Sequence, residues 1–109
     1  MSGTREAPPV RSEIRKFTND VVHLARQRGW NVAANPSTHG GFPQVVMVRS
    51  IEGDRRVVFA RLMDPTGHLK PAQVQWMRDL DAVAELCRPQ LHAYAWRPCD
   101  WPTIEEILQ

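Results

Sequence analysis

Between Ser12 and Gly29 the apolar residues Ile14, Phe17, Val21, Leu24 and Ala25 recur every three or four positions, the spacing that lines one face of a helix. Ser12 suits the N-cap of that helix and Gly29 its C-terminal stop. The period then changes. Trp30 to Ala34 reads as a short strand, and Asn35-Pro36-Ser37-Thr38-His39-Gly40-Gly41 as a loop. Val45 to Ser50 and Arg56 to Met63 are β-branched runs joined by Ile51-Glu52-Gly53-Asp54-Arg55, whose Gly-Asp pair suits a hairpin, so a three-stranded meander is predicted. Asp64-Pro65-Thr66-Gly67 breaks the last strand. Pro71 then sits where a first helical turn tolerates proline, followed by Val74, Met77, Leu80, Val83, Ala84 and Leu86 on one face of a second helix. Leu91 to Trp96 is a fourth strand ended by Arg97-Pro98, and Asp100 can cap a short final helix carrying Ile104, Ile107 and Leu108. The predicted order is αβββαβα, without internal repeats or low-complexity tracts.

A chain of 109 residues predicts a single domain, here residues 12–109 behind a flexible tail at 1–11, because Met1 to Val10 with Pro8-Pro9 shows no apolar period. With 42% hydrophobic and 24% charged residues and no signal-peptide pattern, a soluble cytoplasmic protein without a membrane partner is expected. Cys87 and Cys99 form no CxxC or Cys/His cluster, so a zinc site and a disulfide framework are both disfavoured. The net charge of +2 conceals an asymmetry: residues 1–61 carry ten basic and five acidic side chains, residues 62–109 four and seven. This division is compatible with one basic face suited to phosphate, and equally with two mixed surfaces.

Four stretches carry a likeness to a known family. Leu24-Ala25 through Gly29-Trp30 closes the first helix, and Gly41-Phe42-Pro43 opens the second strand. Gly67-His68-Leu69-Lys70-Pro71-Ala72-Gln73 leads to Trp76 and Leu80, and Trp96-Arg97-Pro98-Cys99-Asp100-Trp101 follows the last strand. In this order, from about Ile14 to Leu108, they resemble the VRR-NUC branch of the PD-(D/E)XK nuclease superfamily, especially the small stand-alone versions common in bacteriophages. The resemblance implies an α/β (α+β) fold with a restriction endonuclease-like αβββαβ core, a mixed central sheet flanked by helices, and a short C-terminal helix.

It also implies an active-site pattern that this chain does not keep. Family members look like Gly-Phe-Pro-Asp before an apolar strand, then a strand ending Glu-Leu-Lys, then a Gln-x-x-Trp helix. Gln44 stands at the Asp place, Arg61 at the Glu place and Met63 at the Lys place, while Gln73 matches the glutamine beside the site. Residues i and i+2 of a strand share a face, so Arg61 and Met63 are expected to point together toward whatever Gln44 faces. In an active relative that cluster holds Mg²⁺ through carboxylates, and the metal activates water and neutralises phosphate charge. An amide is a poor magnesium ligand, a guanidinium is a fixed cation, and a thioether supplies no charge. Asp64 falls on the opposite strand face, Glu52 and Asp54 lie in the hairpin turn, and Glu13 alone cannot build the site. No catalytic residue, metal or cofactor is therefore expected.

Each remaining candidate keeps two readings. Arg61 is either a bidentate phosphate contact or the ion-pair partner of Asp64, Asp100 or another acid. Gln44 is a hydrogen-bonding filler, Met63 a core or pocket residue, and Gln73 either orients a phosphate or a water or makes a helix-surface hydrogen bond. Trp76, Trp96 and Trp101 read as scaffold rather than base-stacking residues, and His39 as solvated.

Two functions from different classes follow. The first is a pseudo-nuclease that binds branched or duplex DNA without cutting it, through Arg15, Lys16, Arg49, Arg56 and Arg61. The second is a phage effector that engages a host protein in the host cytoplasm. A homodimer, and an active metal-dependent endonuclease or resolvase subunit, are the remaining alternatives.

Overall fold

The helical spacing that begins at Ile14 becomes α1 (Val10–Gln27), whose inward stripe of Phe17, Val21, Leu24 and Ala25 is buried. The structure is a computed structural model that describes residues 10–35 and 39–109, with side chains from Ile14 onward except that of His39. Residues 1–9 of the predicted tail, and the side chains of Ser12, Glu13 and His39, lie outside the described residues. The helix starts at Val10, so Ser12 falls inside it and is not its N-cap. The C-terminal stop is as expected. Gly29 adopts φ 87°, its N–H donates to Arg26 O at 3.1 Å, and the Trp30 N–H reaches Ala25 O at 3.0 Å. This is the Schellman arrangement, and it turns the chain so that Trp30 drops into the core, 3% exposed.

Four strands follow in one sheet ordered β1-β2-β3-β4: β1 (Asn31–Ala34), β2 (Val45–Ile51), β3 (Asp54–Leu62) and β4 (Leu91–Trp96). The first two pairings are antiparallel and the third is parallel. The hairpin is tighter than expected, because Ile51 pairs Asp54 and only Glu52 and Gly53 remain in the loop. Gly53, second in that loop, adopts φ 86°, a left-handed conformation that glycine takes without steric cost. Parallel strands need a crossover, which α2 (Pro71–Cys87) provides between β3 and β4. The chain is thus a mixed four-stranded sheet with three helices, α3 (Trp101–Ile107) being the short last one. Asp100 precedes α3, but its carboxylate accepts the Arg97 N–H at 2.8 Å and so stabilises the preceding turn (Pro98–Asp100) instead of capping the helix.

Alternation places Val45 and Met47 of β2 and Val58, Ala60 and Leu62 of β3 on one face, where they meet α1, Trp30, Trp96, Ile104 and Leu108 in the core. Trp96 is scaffold, as expected, and Trp101 packs partly buried against the same cluster. The C-terminal segment is tied down by the indole of Trp30 donating to Leu108 O at 3.0 Å and by Arg28 donating to Glu105 O at 3.1 Å. Cys87 is half-buried and Cys99 exposed, both as free thiols. Among the described residues no helix is long and apolar enough to cross a membrane.

At the hairpin end, two cations enter the core-facing side together. Arg49 and Arg56 are cross-strand partners, and each guanidinium lies 4.8 Å from the Trp30 ring centroid. Asp54 binds both, Arg56 through Nε at 2.6 Å and Arg49 through Nε at 3.0 Å, with Arg49 Nη2 donating to the same carboxylate. Arg49 also donates to the main-chain oxygens of Arg28 and Gln109, and Arg56 to that of Ile107. Hydrogen bonds from Arg56 and then Arg49 hold the Asp54 carboxyl down at about 2, against an ordinary 3.8.

A depressed carboxyl pKa stabilises the fold above the unfolded value, and that contribution is lost as pH falls from about 4 to about 2. The Asp54→Asn variant should melt below the parent chain at pH 7, and the gap should close across that window. Thermal unfolding of both proteins from pH 2 to 7 measures it, and a gap independent of pH would show that the ionised carboxylate is not what holds the two arginines.

Candidate functional site

The opposite end of β3 delivers Arg61 and Met63 to the sheet face that looks toward α2, because they continue the phase of Val57 and Phe59. Both are buried, at 5% and 9% exposure. A cleft of about 230 Å³ opens there, lined by Gln44, Arg61, Met63 and Gln73 together with Ile14, Asp64, His68 and Lys70. All four positions singled out by the family pattern therefore face one cleft.

Gln44 acts as a piece of backbone. Val57 and Met63 donate their N–H groups toward β4, so by alternation the main chain of Leu62 faces β2. The β2–β3 register, continued past Val45 and Ala60, brings Pro43 opposite Leu62, and proline has no N–H to offer. The Gln44 side chain supplies the missing rung: Nε2 donates to Leu62 O at 2.9 Å and Oε1 accepts the Leu62 N–H at 2.8 Å. This is the filler role expected of Gln44, with a definite partner.

Among the described residues Arg61 pairs with no acid, neither Asp64 nor Asp100, contrary to the ion-pair reading. Nη2 donates to Gly41 O at 2.7 Å and Phe42 O at 2.6 Å. Nε is sealed from solvent with no partner, the one such buried side-chain nitrogen or oxygen among the described residues. Burial pushes the Arg61 pKa below its ordinary value, yet a guanidinium stays protonated, so a full positive charge sits at the cleft. The loop that receives it is built for close approach. Gly41 has φ 81°, and a Cβ there would lie 2.7 Å from the main chain of Ala72 and Gln73 at the start of α2. Phe42 then packs edge-on against Phe59 and Trp76, with ring centroids 6.1 and 4.9 Å apart. Trp76 remains 38% exposed, more open than a scaffold tryptophan is expected to be.

Gln73 makes the helix-surface hydrogen bond, its Oε1 accepting the Lys70 N–H at 2.8 Å, and so caps the start of α2. Asp64 accepts the Thr66 N–H at 2.9 Å, and its main-chain oxygen accepts from Arg97 at 2.9 Å. His68 and Lys70 belong to the cleft but were not singled out as binding residues. Their place in the Gly67-to-Gln73 marker, immediately before the proline that starts α2, was the available signal.

The five expected phosphate contacts do not form one stripe. Arg61 lines the cleft. Arg15 is exposed and lines an adjoining groove of about 530 Å³ with Thr18, Asn19 and Asn35, which shares Ile14 and Gln44 with the cleft. Lys16 lines a different groove with Phe17 and Trp101, and pairs with Asp20 at 2.9 Å. Arg49 and Arg56 lie at the hairpin end of the sheet, roughly 16 Å along the strand from Arg61, engaged by Asp54 and main-chain oxygens.

These residues do not fit a magnesium ion. Both polar atoms of the Gln44 amide are committed to Leu62, Arg61 brings positive charge, and Met63 offers a soft sulfur to a hard cation. Among the described residues no group of three or more His, Cys, Asp or Glu is placed to hold a metal.

Replacing Gln44 with leucine, close in size, should leave both main-chain groups of Leu62 unpaired and cost roughly 1–3 kcal/mol. Urea unfolding should show a lower midpoint at unchanged m-value. An unmoved midpoint would mean that Gln44 does not carry that rung. Comparison with known proteins found no matching family model, no matching curated protein and no matching solved structure.

Proposed function

We propose that this chain is a nuclease-like protein that binds nucleic acid without cutting it. The observation that carries the reading is the buried guanidinium of Arg61, which lines the cleft without a carboxylate partner among the described residues. A charge held in that state attracts an anion, and the adjoining groove with Arg15 gives a strand a second contact along the same path. The resemblance to VRR-NUC nucleases supports phosphate as the anion, and a cleft that rejects a metal ion supports binding over cleavage. Relative to the five cations expected from sequence, the proposed contacts move to Arg15, Arg61, His68 and Lys70.

A second reading, a protein-binding effector, is supported by the large hydrophobic side chains left in solvent: Val48, Ile51 and Val83 at 41–53% exposure and Leu86 at 88%.

Mobility-shift titrations with a four-way junction, a linear duplex and a single strand, in Mg²⁺ and at two salt concentrations, should give binding that weakens as salt rises. Denaturing gels of the same samples should show no new fragments. Metal-dependent fragments would overturn the non-cleaving reading. Absence of binding at low salt by folded protein would favour the effector.

A further inference from the structure

We infer that the cleft is a site for one phosphate group at the end of a nucleic-acid strand, held by Arg61, Lys70 and His68 at the N-terminus of α2; this rests on the nucleic-acid reading above. Three independent features converge on it. The first is the Arg61 charge at the cleft, which hydrogen-bonds to carbonyls through Nη2 and is neutralised by no acid among the described residues. The second is the helix end: Lys70 and Gln73 both line the cleft, so the positive end of a 17-residue helix borders it. Pro71 carries no N–H and Gln73 already accepts that of Lys70, so Ala72 is the first-turn residue whose N–H keeps no intrahelical acceptor. The third is the pair of exposed side chains His68 and Lys70 on the cleft rim.

Size and charge select the form of the phosphate. A space of about 230 Å³ holds a phosphate group with a few waters but cannot admit a double helix. A terminal monoester presents three oxygens and close to two negative charges, matching the two cations Arg61 and Lys70 with the His68 ring beside them, whereas an internal diester carries one charge and two free oxygens. Among the described residues Asp64 is the one acid on the lining, and it opposes the ligand.

The test uses the full chain and one single-stranded oligonucleotide with a 5′-phosphate, a 3′-phosphate or hydroxyl ends, read by fluorescence anisotropy, with inorganic phosphate as competitor. One phosphorylated end should bind about tenfold more tightly than the hydroxyl strand, and inorganic phosphate should remove that advantage. Arg61→Met leaves the Gly41 and Phe42 carbonyls without a donor and can unfold the loop, so two surface variants carry the test. Lys70→Met should reduce the advantage to about threefold or less, and Asp64→Asn, which retains an acceptor for Thr66, should enlarge it. Strands bound equally whatever their ends would overturn the phosphate site while leaving nucleic-acid binding intact. A Lys70-dependent thermal shift with inorganic phosphate, but no strand binding, would overturn the nucleic-acid reading and leave the phosphate site. No response to either ligand would overturn both.

Discussion

A positive charge enclosed in protein is the constraint around which the cleft end of this fold is arranged. Desolvating a guanidinium costs free energy unless its donors are matched, and Arg61 finds its matches in the carbonyls of Gly41 and Phe42, not in a carboxylate. Those carbonyls turn inward only because the loop passes tightly over the first turn of α2, where Gly41 has no room for a Cβ. One side chain therefore ties strand β3 to the loop before β2, and that loop in turn packs on the start of α2. Carbonyl dipoles satisfy hydrogen bonds but cancel no charge, so the cleft keeps its cation.

The two ends of the sheet handle the same residue type in opposite ways. At the hairpin, Asp54 sits between Arg49 and Arg56, the Trp30 ring lies against both guanidiniums, and main-chain oxygens take the remaining donors. Those cations organise the C-terminal segment and have little left for a ligand. At the other end Arg61 has no such acid among the described residues. Chain-level charge could not separate the cases, since all three arginines fall in the basic first half of the sequence.

One further signal was present in the strand pattern. Val45 and Met47 fix the inward phase of β2, and Arg49 continues it; Val58, Ala60 and Leu62 fix that of β3, and Arg56 precedes them in the same phase. A strand arginine in the core-facing phase needs an internal partner, which argues for structure before binding. Gln44 was legible as a neutral filler, but its purpose rests on Pro43 meeting Leu62 across the hairpin, a pairing fixed by register.

Sequence by itself determined the order of elements, because apolar period, Gly29, Gly53 and Pro71 are local signals that act within a few residues. A resemblance drawn from sequence also grouped Gln44, Arg61, Met63 and Gln73, and the four line one cleft. Tertiary structure decided which cations are neutralised, which donors remain unmatched, and that His68 and Lys70 join the cleft. Those outcomes depend on contacts between residues far apart in the chain, such as Arg49 with Gln109 or Arg61 with Gly41, and no local pattern encodes such distances.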